Sequence, residues 1–377
     1  TLSLHDALPI WFFGYDLGRI LEKLPERAAN DLPLPDCFLG FYDVIVAINH
    51  LENRAFICSS GLAESDPDCR RARAEERLAQ TKAQLLAPVS ISSASPPTAA
   101  PVLSGNFTRL QYLEAVTEAK AYIAAGDIYQ VNLSQRFACD FADSPIELYR
   151  RLREFNPAPF AGLLLENDWA LVSASPERFL QVRGDWVETR PIKGTRPRGA
   201  TPEEDDRLGK ELLTSEKDRA ENVMIVDLER NDLGKVCEYG TVETTELWAL
   251  EKYPTVFHLV STVEGRLREG KTSVDLLKAS FPGGSITGAP KVRSMEIIEE
   301  LEPTRRGPYT GALGYLDFRG DMDTNIIIRT FVIKDGKAYF QVGGGIVADS
   351  DPAAEYQETL DKGRALVWAI AGKKEGV

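Results

Sequence analysis

Histidine is nearly missing from this chain. Only His5, His50 and His258 occur among 377 residues, which excludes a histidine-rich metal site and leaves little material for an imidazole-based triad. Cysteine is sparse too: Cys37, Cys58, Cys69, Cys139 and Cys237 are scattered, with no C-x-x-C pair. That spacing fits neither a disulfide framework nor a zinc site, and it reads as reduced packing residues of a cytoplasmic protein. No apolar run approaches the roughly eighteen residues a membrane span needs. Positive charge is in deficit, 44 Lys and Arg against 57 Asp and Glu for a net charge of -13, which argues against a nucleic-acid surface. Chemistry must therefore rest on carboxylates, lysines and arginines.

What is present suffices for a packed core: 43% of the residues are hydrophobic, enough for one large or two ordinary domains. Residues 1–10, "TLSLHDALPI", have no basic n-region and no small-residue cleavage site, so they do not read as a signal peptide. They are expected to be a non-native leader joined to a chain whose upstream strands are missing. Residues 11–87 form an N-terminal part, a helix followed by a hairpin of "CFLGFYDVIVAI" and "RAFICSS", then the charged helix "CRRARAEERLAQTKAQLLA". Residues 88–105, rich in Pro, Ser and Ala, read as an exposed linker. The catalytic region is expected over 106–372.

In that region Thr108 can cap a helix that Gly126 ends, and "DIYQVNLSQRFAC" follows as a strand. Further strands, "FAGLLLE", "WALVSAS", "RFLQVR" and "WVETRPI", come in hairpin-like succession, unlike the alternating units of a Rossmann fold. A helix through "SEKDRAENVMIVDLERND" precedes the strands "HLVSTVEGRL", "GALGYLDFRG", "TNIIIRTFVIK" and "KAYFQVG", and a last helix starts at Pro352. The pattern is α+β, an α/β sandwich of large, mostly antiparallel β-sheets flanked by helices.

Three stretches can carry chemistry. "FPGGSITGAPK" opens like a phosphate loop, but Ala289 and Pro290 stand where Lys and Ser/Thr are required, so the nucleotide reading fails. What survives is a glycine-rich turn into a helix start beside Lys291, suited to an anion or simply a capped end. "VGGGIVADSDPAAEYQETLDK" ends a strand in three glycines and places Glu355, Glu358 and Lys362 on one helix face. Backbone N–H groups there can approach a ligand, although a turn and a solvated i,i+4 pair fit equally well. Asp218 and Glu221 share a face of another helix. Two helices each offering a carboxylate could hold one hard cation such as Mg²⁺.

The order of "GDIYQVNLSQRF", "SASPERF", "RPIKGT", "KDRAENVMIVDLERNDLGK", "HLVSTVEG", "FPGGSITGAPKVRSMEIIEELEP", "GALGYL", "IIIRT" and "GGGIVADSDPAAEYQETLDK" resembles the chorismate-utilising family over about residues 11–370. That family includes component I of anthranilate synthase, isochorismate and salicylate synthases, and component I of aminodeoxychorismate synthase. The resemblance implies an anthranilate synthase component I-like fold around a deep cleft. It also separates siblings. Water-adding members carry a lysine where this chain has Gln130, and anthranilate synthases carry alanine where it has Lys193. The aminodeoxychorismate synthase branch is the one Lys193 resembles.

Roles follow from the resemblance. Lys193 is implied as a nucleophile at C2 of chorismate, with Arg190 and Arg196 as cations that could lower its pKa. Glu177 is implied as the general acid for the C4 hydroxyl. Glu221 and Glu358 match the family's Mg²⁺ ligands, with Asp218 and Glu355 behind them. Thr195, His258, Thr287, Tyr309, Arg329, Gly344, Gly345 and Lys362 line the substrate site. Ammonia would come from a glutamine amidotransferase subunit, because no nucleophile-elbow cysteine occurs in this chain. The alternatives are an anthranilate synthase component I and an inactive chorismate-binding remnant.

Overall fold

The computed structural model describes residues 8–88, 101–253 and 256–373. Most of the expected linker and residues 1–7 of the expected leader lie outside them. Residues 8–10 belong to strand Leu8–Phe13, which pairs on both sides, with Ala312–Leu316 and Cys37–Tyr42. Where a helix is expected after residue 11, this strand and only short helical turns at Tyr15–Leu17 and Gly18–Leu21 are found. The run "IWFF" is too apolar to leave at a surface, and Trp11 and Phe12 are fully buried.

Among the described residues two large antiparallel sheets carry the fold. The nine-stranded sheet runs in the order Ile192–Pro197, Val256–Arg266, Trp186–Thr189, Arg178–Arg183, Met322–Ile326, Ala312–Leu316, Leu8–Phe13, Cys37–Tyr42, with Glu243–Lys252 also on Val256–Arg266. The seven-stranded sheet runs Gly288–Ala289, Gln130–Asp140, Lys337–Ile346, Thr330–Lys334, Trp169–Ser175, Phe160–Leu165, with Ser104–Gly105 on Gln130–Asp140. This is the α+β architecture that the hairpin-like succession of strands implies.

Three runs that read as single strands are cut. "CFLGFYDVIVAI" breaks at Asp43, so Cys37–Tyr42 edges the nine-stranded sheet while Val44–Asn49 pairs with Arg54–Ser59 in a separate hairpin. "WVETRPI" breaks before Pro191, which has no N–H for a ladder, and both halves pair with Val256–Arg266. "TNIIIRTFVIK" breaks at 327–329 and its halves belong to different sheets, Met322–Ile326 to the larger and Thr330–Lys334 to the smaller. A switch of sheet leaves no trace in apolar content, because both halves are buried.

Helix Glu216–Gly234 starts where Ser215 accepts the Asp218 N–H and packs Val226 and Leu233 onto the larger sheet, with Phe179, Val263, Leu276 and Ile326. On the smaller sheet, helices Pro145–Phe155 and Pro352–Ala371 cover Phe331 and Phe340 with Leu148, Leu152 and Leu366. Phe12, Trp169, Leu171 and Leu313 fill the space between the sheets. Helices Pro145–Phe155, Pro202–Thr214 and Ser273–Ser280 escape the periodicity reading because they are short. Their caps, Ser144, Thr201 and the Thr272–Asp275 capping box, are the legible signal.

Candidate active site

Two of the expected site residues stand where the chain passes from one sheet to the other. Glu177 lies between Trp169–Ser175 and Arg178–Arg183, and Arg329 between Met322–Ile326 and Thr330–Lys334. The first corner is pinned by Ser175, whose hydroxyl donates to the Ile326 carbonyl at 2.6 Å, and by the Ile326 N–H donating to the Glu177 carbonyl at 3.1 Å. At the second corner Arg329 adopts φ 53°, and its carbonyl accepts from the Ala174 N–H at 3.1 Å. A left-handed arginine is strained, and here it turns the side chain out of both ladders.

Lys193 occupies a bulge. The register of Ile192–Pro197 on Val256–Arg266 shifts between Ile192 and Thr195, and Gly194 takes φ 83°. A bulge redirects the side chains beside it. Lys193 accordingly points inward, and its Nζ donates to the Ser285 carbonyl at 3.0 Å. Burial holds its pKa below the ordinary lysine range; Glu221 and Glu177 pull it back upward, and Lys362 pushes it further down. The cations expected to do this are elsewhere. Arg190 pairs with Glu251 at 2.6 Å, and Arg196 with Glu211 at 2.9 Å and Asp218 at 3.1 Å.

Glu177 is 5% exposed, so it is no surface partner of Arg178, which instead pairs with Glu188 and Asp323. Burial raises its pKa above the usual glutamate value, against the opposing effects of the neighbouring Ser285 hydroxyl and Lys193. Its carboxylate lies 3.5 Å from the Ile192 N–H. A carboxyl that resists ionising is what a general acid requires.

Glu221 and Glu358 come from helices Glu216–Gly234 and Pro352–Ala371. Burial raises the Glu221 pKa against the opposing charges of Lys193 and Lys217, and the Asp218 and Glu358 charges add to the rise. Burial would raise Glu358 as well, but Lys362, 2.7 Å away, outweighs it and the pKa falls. Glu221 is largely covered and feels the charge of the half-exposed Glu358, so a cation shared by the two carboxylates would relieve that repulsion. Among the described residues no cluster of three or more His, Cys, Asp or Glu side chains could hold an ion. The chain thus offers the one or two carboxylates that Mg²⁺ uses when a ligand's oxygens and water complete its shell. Behind them, Glu355 accepts from the Ser350 hydroxyl at 2.7 Å, whereas Asp218 is held by Arg196. Ser350 is a support that the sequence reading missed, although its place just before a helix cap is a usable signal.

The glycine strand closes the space. A side chain at Gly344 would meet Glu355, Glu358 and Lys362 within 3.2–3.6 Å, so the backbone lies directly on these groups. Lys362 also donates to the Gly343 carbonyl at 2.8 Å. Gly345 abuts Gln130, a wholly buried amide whose nitrogen and oxygen both lack partners among the described residues. Such an amide is costly to bury unless something else bonds to it. The Arg329 guanidinium likewise makes no hydrogen bond or ion pair with any described residue. Burial lowers its pKa, and the Tyr309 and Glu358 charges oppose that. Tyr309 is itself buried, which raises its phenol pKa.

His258 is 7% exposed and shares a 2.9 Å hydrogen bond between Nδ1 and Thr195 Oγ1. Burial and the Arg329 charge push its pKa down to about 4, so it is neutral at physiological pH. Thr287 is fully buried and its hydroxyl donates to the Gly283 carbonyl at 2.9 Å, bracing the glycine loop. The anion site considered at the following helix start is not formed by Lys291, which is bound to Asp232 at 2.5 Å and to the Ser280 carbonyl at 2.7 Å.

Comparison with known proteins places the fold and the family. Residues 4–367 match the chorismate binding enzyme family. An aminodeoxychorismate synthase component 1 of Klebsiella aerogenes is 49% identical over 95% of this chain and 77% of its own length. An anthranilate synthase component 1 of Thermus thermophilus is 46% identical over 100% of this chain and 81% of its own. The crystal structure of anthranilate synthase component I from Streptococcus pneumoniae superposes with TM-score 0.89 at 34% identity, over 97% of this chain and 82% of that one. With the fold and most of the length in common, the chain belongs to the chorismate binding enzymes, of the aminodeoxychorismate and anthranilate synthase type.

Proposed function

We propose that this enzyme aminates chorismate at C4, giving 4-amino-4-deoxychorismate with the enolpyruvyl ether kept. The observation that carries the reading is Lys193: an amine with a depressed pKa, aimed at the Ser285 carbonyl and within electrostatic reach of Glu177, Glu221, Glu358 and Lys362. A depressed pKa supplies neutral amine, the nucleophilic form. Lys193 attacks C2 of the diene as the C4 hydroxyl leaves, protonated by Glu177. Ammonia then adds at C4 and expels the lysine, restoring the diene. With C2 occupied first, the external nitrogen is steered away from the anthranilate outcome.

Arg329 and Tyr309, with the Gly344–Gly345 backbone, grip the enolpyruvyl carboxylate. Glu221 and Glu358 would hold Mg²⁺, which when bound anchors the ring carboxylate and withdraws charge. Thr195, His258, Thr287 and Lys362 shape the remaining wall. The relatives are named as a first component, which supports a separate amidotransferase subunit as the ammonia source. Their division between two names also keeps anthranilate synthase as the second reading.

The test is Lys193→Ala with chorismate, ammonium and Mg²⁺, products resolved by chromatography. Formation of the C4 amine should fall at least about 100-fold, the low end for a positioned catalytic group, or be replaced by fluorescent anthranilate. Unchanged product and rate would reject the covalent role.

A further inference from the structure

Helix Glu216–Gly234 carries a second buried carboxyl that the proposed reaction leaves unused. Glu229 lies two turns beyond Glu221 and is 6% exposed. Its hydrogen bond comes from the Thr189 hydroxyl at 3.0 Å, and it makes no ion pair with any described residue. Lys291, whose charge acts on Glu229, is held by Asp232 and the Ser280 carbonyl.

The position is specific. Thr189 and Ile192 bound a four-residue stretch, with Glu229 at the first and Glu177 at the last. The residue before Glu229, Leu228, packs on Gly284, next to the Ser285 that holds Lys193. The charges of Asp232 and Lys291 also act on Glu229. Asp232 is joined at 2.8 Å to Lys235, whose side chain is 52% exposed. Contacts therefore run from solvent at Lys235 through Asp232 to Lys291, and Glu229 lies within electrostatic reach of both Lys291 and Glu177, with Thr189 and Ile192 setting the two carboxyls three positions apart along one stretch.

We propose that Glu229 is a positioning residue for the amination, a proton reservoir that reloads Glu177 after each departure of the C4 hydroxyl. The idea rests on Glu177 being the acid. Glu177 gives its proton to the departing hydroxyl, which leaves as water, and becomes a carboxylate. The Glu229 O–H proton then passes to Glu177. The Glu229 carboxylate is reprotonated by the Lys291 ammonium, which recovers a proton from solvent by way of Asp232 and Lys235. The groups facing Glu229 set its charge state: Glu177 and Asp232 favour the protonated form, Lys291 opposes it, and burial adds to the first.

Glu229→Gln keeps the shape and the bond to Thr189 but cannot release an acid proton. The expected result is kcat lowered about 10-fold at neutral pH, with KM for chorismate within about 2-fold, and loss of the alkaline limb of the kcat profile. Glu229→Asp should restore that limb. A Glu229→Gln enzyme with the wild-type kcat and pH profile would overturn the proposal, since a structural role tolerates the amide. Should that variant not fold, Thr189→Val serves: without the hydroxyl, Glu229 holds its proton more firmly and the alkaline limb moves to higher pH. An unmoved limb counts against the relay. Glu177→Gln separates the two ideas. If it is inactive while Glu229→Gln behaves as wild type, only the relay fails; if it is fully active, the acid assignment itself fails.

Discussion

Burial at Glu229 has a consequence for stability that needs no substrate. Its pKa is pushed up to about 8 by burial first and by the Glu177 charge second. The folded state therefore binds a proton that the unfolded chain releases near pH 4.5. Stability from this group is complete below that point, falls as pH rises toward 8, and is then lost. At about 1.4 kcal/mol per pH unit the whole effect is at most a few kcal/mol. Urea denaturation at several pH values should show wild type losing stability relative to Glu229→Gln between pH 5 and about 8, with the difference constant above. Parallel curves would mean the carboxyl is not buried as described. The sequence hides this residue: "DLERND" reads as a polar helix face, and only the fold turns Glu229 inward.

Elements were read from sequence in proportion to how locally they are determined. Helix Glu216–Gly234 was legible through Ser215 and its apolar spacing, and Pro352–Ala371 through Asp351 and Pro352. Breaks in apolar runs were not, because a crossover between two sheets stays buried throughout. Yet the crossovers between sheets create the site: Arg329 sits on one such break, Glu177 on the crossover between two strands that already read as separate, and Lys193 on a bulge. A cap carries a prediction at this scale. Ser215 accepts from the Asp218 N–H at the start of the helix that bears Glu221. Ser215→Ala should cost about 1 kcal/mol, read as a lowered urea midpoint with an unchanged slope. No loss would show that Arg196 on Asp218 suffices to hold the helix start.

At the scale of the whole molecule, Arg306 and Glu302 tie the glycine loop to the smaller sheet. Their side chains are 1% and 2% exposed. The guanidinium meets both Glu302 oxygens, at 2.7 and 3.0 Å, and donates to the carbonyls of Asn132 and Ile286. Glu302 also accepts the backbone and hydroxyl of Ser134. Arg306→Met strands a buried carboxylate and should destabilise by about 3–5 kcal/mol, whereas Arg306→Met with Glu302→Met should lose less. Denaturation of both variants checks the ordering, and equal losses would assign the effect to packing.

The sequence alone determined what depends on neighbours along the chain. The longer strands and helices, their caps and the failed phosphate loop follow from short spacings, which local backbone sterics and burial translate directly, and the family resemblance rests on the motif strings themselves. Tertiary structure decided which groups meet. Lys193 takes its lowered pKa from burial and from Lys362, 169 positions away (362 minus 193), and not from the arginines beside it in sequence. Glu221 comes under the Glu358 charge because two helices that pack on different sheets bring the pair within electrostatic reach. Desolvation and Coulomb interactions act through space, so charge states in the site were settled only once the sheets had closed around it.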